Sequence, residues 1–117
     1  MKDRLIGKQV IVRSNMAGVF YGECMEAEFN NTHSPHVLLK NARRIWSWDG
    51  AYSLTDIAVG GVQKESRITH CLEWELIFDV IEILPLSGEA KKILDQNKIW
   101  TVVPPNPADK KARHVNV

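Results

Sequence analysis

Apolar runs rich in β-branched and aromatic residues, set off by polar and glycine-containing turns, fill most of the first half of the chain and predict strands. Lys8-Gln-Val-Ile-Val-Arg13 is a β-branched run of this kind. Residues 14–18 form a turn in which Asn15 and Gly18 tolerate positive φ. A second strand over 19–28 completes a hairpin, and Gly22 inside it marks a bulge or the close approach of another group. Residues 29–35 are polar and turn-like. A third strand over 36–48 begins His36-Val-Leu-Leu-Lys40 and continues through Asn-Ala-Arg-Arg-Ile-Trp-Ser-Trp48.

The pattern then changes. Asp49-Gly50 signals a turn, and Ser53 with Asp56 three residues on is a capping box with the shorter acid. Leu54, Ile57 and Ala58 have helical spacing, and Gly60-Gly61 ends that short helix. Its N-terminal N–H groups are a candidate anion holder, although Asp49 and Asp56 compete for them. Residues 67–84 are strongly apolar, and their alternation fails near Leu76 to Asp79. Two strands, about 67–74 and 79–84, joined by a bend or bulge fit this pattern. A helix over 71–78 competes, but the Ile, Val, Phe and Trp content favours strand. Ser87 caps a C-terminal helix with Ala90, Ile93 and Leu94 as its stripe. Residues 99–103 suit an edge strand. The expected order is β-β-β-α-β-β-α: an α+β fold, a curved antiparallel sheet with one short central helix and one C-terminal helix. Residues 1–103 form the domain, and 104–117 a Pro-rich, basic tail expected to be mobile on its own.

Composition narrows the function. With 117 residues and 44% hydrophobic content the chain suits one domain. No apolar run approaches the ~20 residues of a membrane span. The N-terminus lacks the apolar centre of a signal peptide, so a cytosolic protein is expected. A net charge of +1 argues against general coating of nucleic acid. Cys24 and Cys71 both fall in apolar segments and read as buried thiols. The four histidines make no metal pattern; Pro35 separates His33 from His36. No metal or other cofactor is called for.

Nor is there a catalytic motif: no G-x-S-x-G, P-loop or H-E-x-x-H. His70 and Cys71 are adjacent, so on a strand they point to opposite faces. Glu73 and Glu75 read as a solvated strand face. A non-enzyme is the expectation. Binding chemistry is better supplied. Between 42 and 48 an extended chain puts Arg44, Trp46 and Trp48 on one side and Arg43, Ile45 and Ser47 on the other. Guanidinium beside indole suits a planar anion such as a nucleotide, where the ring stacks and the phosphate pairs. Arg13 and Asn15 flank the first turn, Lys40 and Asn41 precede the arginines, and Tyr21 offers an aromatic on the neighbouring strand. These nine residues, Arg13, Asn15, Tyr21, Lys40, Asn41, Arg43, Arg44, Trp46 and Trp48, are the candidate ligand site. The competing reading makes the two tryptophans core residues covered by arginine stems.

The segments Val10-Ile-Val-Arg13, Ala17-Gly-Val19, Gly22-Glu23, Leu39-Lys-Asn-Ala-Arg-Arg-Ile-Trp46, Trp48, Gly50-Ala51, Ser53-Leu54 and Val80-Ile-Glu-Ile-Leu-Pro85 resemble a family of small bacteriophage proteins with a KNARRIW motif. The likeness spans roughly residues 8–95. Ser47 departs from it, standing where an aromatic is usual; 30–36 look inserted, and the tail is long. The family is similar in size and layout to phage anti-defence sponges of the anti-Thoeris and anti-CBASS kind. That resemblance implies a protein of the host bacterial cytoplasm that sequesters a cyclic nucleotide or cyclised ADP-ribose signal without cleaving it. It also implies a homo-oligomer, dimer or higher, with no membrane or nucleic-acid partner. An apolar stretch as strong as 76–84 in so small a domain suits a subunit interface. The alternatives are a protein-binding inhibitor of a host factor, using Trp and Arg as anchors, and a small nucleic-acid-binding accessory protein.

Overall fold

The computed structural model describes residues 2–29, 34–48, 50–51, 53–63 and 66–99. A short helix α1 (Lys2–Leu5), which the sequence pattern did not suggest, precedes strands β1 (Gln9–Ser14), β2 (Gly18–Glu28) and β3 (His36–Ser47). Helix α2 (Leu54–Gly60) is followed by β4 (Arg67–Ile68), β5 (Leu72–Phe78) and β6 (Val80–Pro85), and then by helix α3 (Gly88–Gln96). The fold is α+β, as expected: a curved, unclosed antiparallel sheet with a central and a C-terminal helix. Leu72–Phe78, within the segment where a helix competed, is strand. The apolar stretch breaks twice, at 69–71 as well as at Asp79. Ile99 forms a parallel bridge to Ile68; the rest of the expected edge strand and the tail lie outside the described residues, as does Asp49. Among the described residues no helix is long and apolar enough to cross a membrane.

The strand order is β4-β3-β2-β1-β6, with β5 on the first half of β3. Strands β5 and β6 meet at the single residue Asp79, whose φ is +55°. One long bent strand therefore pairs with β3 at one end and β1 at the other, and the sheet curls. The corner is well held. Asn15 N–H donates to Asp79 O at 2.9 Å, and Ser14 Oγ donates to Phe78 O at 2.7 Å. Ser34 Oγ donates to Asp79 Oδ1 at 2.6 Å.

Because strand side chains alternate, β1, β2 and β3 each feed two cores. The inner one holds Val10, Val12, Phe20, Cys24, Val37, Leu39, Ala42 and Ile77. The other face, with Ile11, Val19, Tyr21 and Ile45, is covered by Leu54, Ile57 and Ala58 of α2 and Ala90 and Leu94 of α3. Both helices are capped as their sequences require. Ser53 and Asp56 form the capping box of α2. Ser87 Oγ accepts from Ala90 N–H and donates to Val59 O, which also ties α3 to α2.

A bulge divides β3. Glu23 pairs with Lys40 and Tyr21 with Arg43, so Asn41 and Ala42 together oppose Gly22 alone. Asn41 takes the left-handed conformation, φ +52°, which asparagine tolerates better than most residues. A Cβ on Gly22 would stand 2.9 Å from Lys40 O, so only glycine fits there. The bulge explains why Leu39 and Ala42, three apart, both enter the inner core.

Candidate functional site

The residues facing each other across β1, β2 and β3 form a row, Arg13, Val19 and Ile45, on the helix-covered side of the sheet. Directly opposed residues stand ~5 Å apart. Arg13 is therefore about two strand spacings from the end of β3. There the ladder stops at Ser47; Trp48 leaves it and packs against the helix-side core, while Trp46 remains 56% exposed. The β1–β2 turn, the end of β3, Ser53 before α2 and Ile81 of β6 enclose a cleft of about 650 Å³. That volume lies within the range of small-molecule sites, ~300–1,000 Å³.

Four of the nine sequence-derived candidates line this cleft: Arg13, Asn15, Trp46 and Trp48. Arg13 is exposed at the end of β1, opposite Glu82 of β6. Ser14 also lines the cleft, but its hydroxyl is committed, donating to Phe78 O and accepting from Ala17 N–H. The N-terminus of α2 is committed too. Asp56 N–H donates to Ser53 Oγ at 3.3 Å, and Ser53 N–H donates to Asp56 Oδ2 at 3.1 Å. The helix start therefore shapes the rim, with the Asp56 carboxylate already at the cap.

The other five candidates lie elsewhere. Arg43 is 6% exposed and works as a fastener. Its Nε donates to Thr69 O at 2.7 Å and its Nη1 to Leu94 O at 3.1 Å. Nη1 also reaches Tyr21 Oη at 3.2 Å, and Nη2 reaches Asn97 O at 3.4 Å. A cation here meets the carbonyl end of α3, where the helix dipole favours it. Tyr21, 1% exposed, donates to Asp95 Oδ1 at 2.8 Å. Burial first, and then that bond to a carboxylate, raise its pKa far above the usual phenol value. Tyr21 and Arg43 thus join the sheet to α3 and are not available to a ligand.

Arg44 points to the opposite side, as the alternation requires. Its guanidinium lies 4.8 Å from the Phe20 ring centre, and Nη2 is 3.8 Å from Glu75 Oε2. Burial raises the Glu75 pKa and Arg44 partly opposes this, so Glu75 is not the solvated strand carboxylate expected from its spacing. Lys40 is exposed opposite Trp74, and Asn41 makes the bulge. Expecting Arg44 to share a site with Trp46 and Trp48 is therefore incorrect: the sheet brings Arg13 to the tryptophans instead. Cys71 also departs from expectation, being exposed in the bend before β5, whereas Cys24 is buried. Met16 and Ile81 line the cleft without having been singled out. Ile81 arrives through the β1–β6 pairing, for which the sequence carries no local signal.

A family described as a domain of unknown function, DUF6948, matches residues 7–94, from the approach to β1 to near the end of α3. This chain belongs to the DUF6948 family. No curated protein and no solved structure matches it. In DUF6948 terms the matched span contains both sides of the cleft and Arg43, while Asn97 falls just outside.

Proposed function

We propose that this DUF6948 protein is a binding protein that captures a nucleotide-type signal, a cyclic nucleotide or cyclised ADP-ribose, and holds it without cleaving it. One observation carries this reading: Trp46 and Trp48 open on the same cleft as the exposed Arg13 and Asn15. An indole face accepts a base, a guanidinium fork accepts two phosphate oxygens, and an amide reads a base edge or a ribose hydroxyl. Arg13 supplies charge for one phosphate group at a time. In the cytoplasm of an infected bacterium, such capture would silence an immune alarm, the role suggested by the likeness to phage anti-defence sponges.

The test mixes purified protein with a panel of cyclic dinucleotides, cyclic trinucleotides and cyclised ADP-ribose isomers. Each is followed by chromatography before and after heat denaturation. Depletion of one ligand and its intact recovery on heating is the expected result, with Arg13→Ala and Trp46→Ala reducing depletion. Conversion to a new product would make the protein an enzyme. If every ligand stays free, the proposal fails.

A further inference from the structure

The helices leave part of their own side of the sheet bare. Tyr21 is joined to α3, and Glu23, two residues further along β2, faces the same way and opposes Lys40. On β5, Trp74 opposes Lys40, Leu76 opposes Leu38 and Phe78 opposes His36, so all of these share that side. The Phe78 and His36 rings touch, with centres 5.6 Å apart. Nothing among the described residues covers the β5 column: Trp74, Leu76 and Phe78 are 62%, 42% and 52% exposed, while the alternate residue Ile77 enters the inner core. The edge of β5 is partly taken, because Ser14 Oγ donates to Phe78 O and Asn15 N–H to Asp79 O. What stands open is the face.

We infer that two copies of this chain pack on this face, sheet on sheet, with β5 of each copy lying over β3 of the other. The twofold axis then runs along the strands, between β5 and β3. The distribution of charge and ring favours a second copy and this overlap. The apolar column is β5, the adjoining column on β3 is Lys40, Leu38 and His36, and β2 beyond it carries Glu23, Glu26 and Glu28. With β5 over β3, each Trp74 indole meets the Lys40 ammonium of the other copy, Leu76 meets Leu38, and Phe78 meets His36. These are a cation on a ring, an aliphatic pair and a cluster of rings. Both glutamate columns stay at opposite rims in water. An axis across the strands would instead set Glu23 over Glu28, like charge on like. The arrangement is isologous, buries both β5 faces at once and closes as a dimer.

The area sets the strength. Taking ~200 Å² for a whole aromatic side chain, Trp74 and Phe78 alone expose about 230 Å² per chain. A contact two strands wide over Trp74–Phe78 and His36–Lys40 stays below the ~1,200 Å² at the small end of stable interfaces, among reversible ones. The dimer should therefore dissociate on dilution. Ser14 and Asn15 also line the Arg13 cleft, so the face and the cleft meet at that corner. Association is measured without ligand, which keeps its outcome separate from nucleotide capture.

Sedimentation velocity on the full chain over a dilution series tests the contact. The wild type is expected to pass from monomer to dimer as concentration rises. Trp74→Ala should weaken dimerisation roughly thirtyfold or more, as loss of a central Trp anchor does, with an unchanged circular-dichroism spectrum. Val59→Ala, at an exposed apolar position of α2 outside the face, should leave association unchanged. A second measurement fixes the overlap and covers the case in which Trp74→Ala misfolds. In a Cys71→Ser background, Leu76→Cys and Leu38→Cys chains are mixed and treated with a thiol-reactive linker of ~10 Å, the spacing of packed sheets. The mixture should cross-link more than either variant alone. A wild type that stays monomeric at the highest soluble concentration overturns the inference and leaves the face to another partner. A dimer that survives Trp74→Ala, or that links Leu76→Cys chains to one another as readily as to Leu38→Cys chains, also overturns it.

Discussion

Replacing Arg43 with alanine should unsettle the fold rather than the cleft. The guanidinium holds Thr69 O at 2.7 Å, Leu94 O at 3.1 Å and Tyr21 Oη at 3.2 Å, with a weaker reach to Asn97 O at 3.4 Å. A hydrogen bond from a charged donor contributes ~1.5–3 kcal/mol, but the cost of desolvating the guanidinium offsets part of the sum. The carbonyl end of α3 adds up to ~1–2 kcal/mol in partly buried geometry. Removing the side chain also leaves buried acceptors without donors. A net loss of about 3 kcal/mol follows, a large share of the ~5–15 kcal/mol typical of a domain. Urea denaturation read by far-UV circular dichroism measures it. With a slope of ~1.5 kcal/mol per molar, the midpoint should fall by about 2 M. Arg43→Met, which keeps the length but no donor, should lose nearly as much, and Arg43→Lys should recover about a third. The reasoning is refuted if Arg43→Ala changes stability by less than ~0.5 kcal/mol while abolishing ligand capture. That outcome would make Arg43 a binding cation, as its sequence context first suggests.

Four further outcomes are expected. Arg13→Ala should weaken capture of the ligand by ~2 kcal/mol, about thirtyfold by titration calorimetry, and leave the urea midpoint unchanged because Arg13 is exposed. Gly22→Ala should cost ~1–3 kcal/mol in the same urea assay, since the added methyl meets Lys40 O at 2.9 Å. Burial raises the Glu75 pKa in the folded chain, so as pH falls the folded state takes up this proton before the unfolded one. Stability from this group therefore rises as pH falls through the folded pKa and levels off below the unfolded value of ~4.3. A melting series in Glu75→Gln should lack that rise; a rise equal to wild type would count against it. A thiol reagent should modify Cys71 quickly and Cys24 only on unfolding, because Cys24 is buried and burial pushes its thiol pKa up.

The elements of this fold were legible because each leaves a local mark. β-Branched and aromatic runs between turn signals located β1, β2 and β3, Ser53 with Asp56 announced α2, and Ser87 announced α3. Gly22 was recognisable as a bulge or close contact, although which neighbour approaches it was not. The site was only half legible. Local alternation correctly separated Arg43 from Arg44, but it could not tell which face would receive α3 and so make Arg43 a buried fastener. Nor does any local pattern reveal that the row Arg13, Val19, Ile45 forms, because it depends on the register of two strand pairings. Trp48 leaves the ladder, which strict alternation does not foresee. Arg44, Lys40 and Asn41 carry the right chemistry in the sequence, and tertiary structure directs them elsewhere.

The extra residue at Asn41 has a consequence for how the family can vary in length. If Asn41 ran on as regular strand and did not bulge, Arg43 would fall in phase with Val37 and Leu39, and Arg44 would take its place beneath α3. Ile45 would turn towards the inner core and Ala42 towards the helices. A one-residue deletion at 43–46 with the bulge kept does the same, exchanging the membership of two cores along the rest of the strand, whereas loss of Asn41 itself would remove the bulge and leave Ala42, Arg43 and Ile45 on their present faces. The doubled arginine softens such a slip for the fastener alone, since one guanidinium replaces the other, but the small and large apolar positions around it have no such duplicate. Length changes in DUF6948 proteins are accordingly expected in the connections between strands or at the bulge itself, with the spacing from Ala42 to Trp46 held constant.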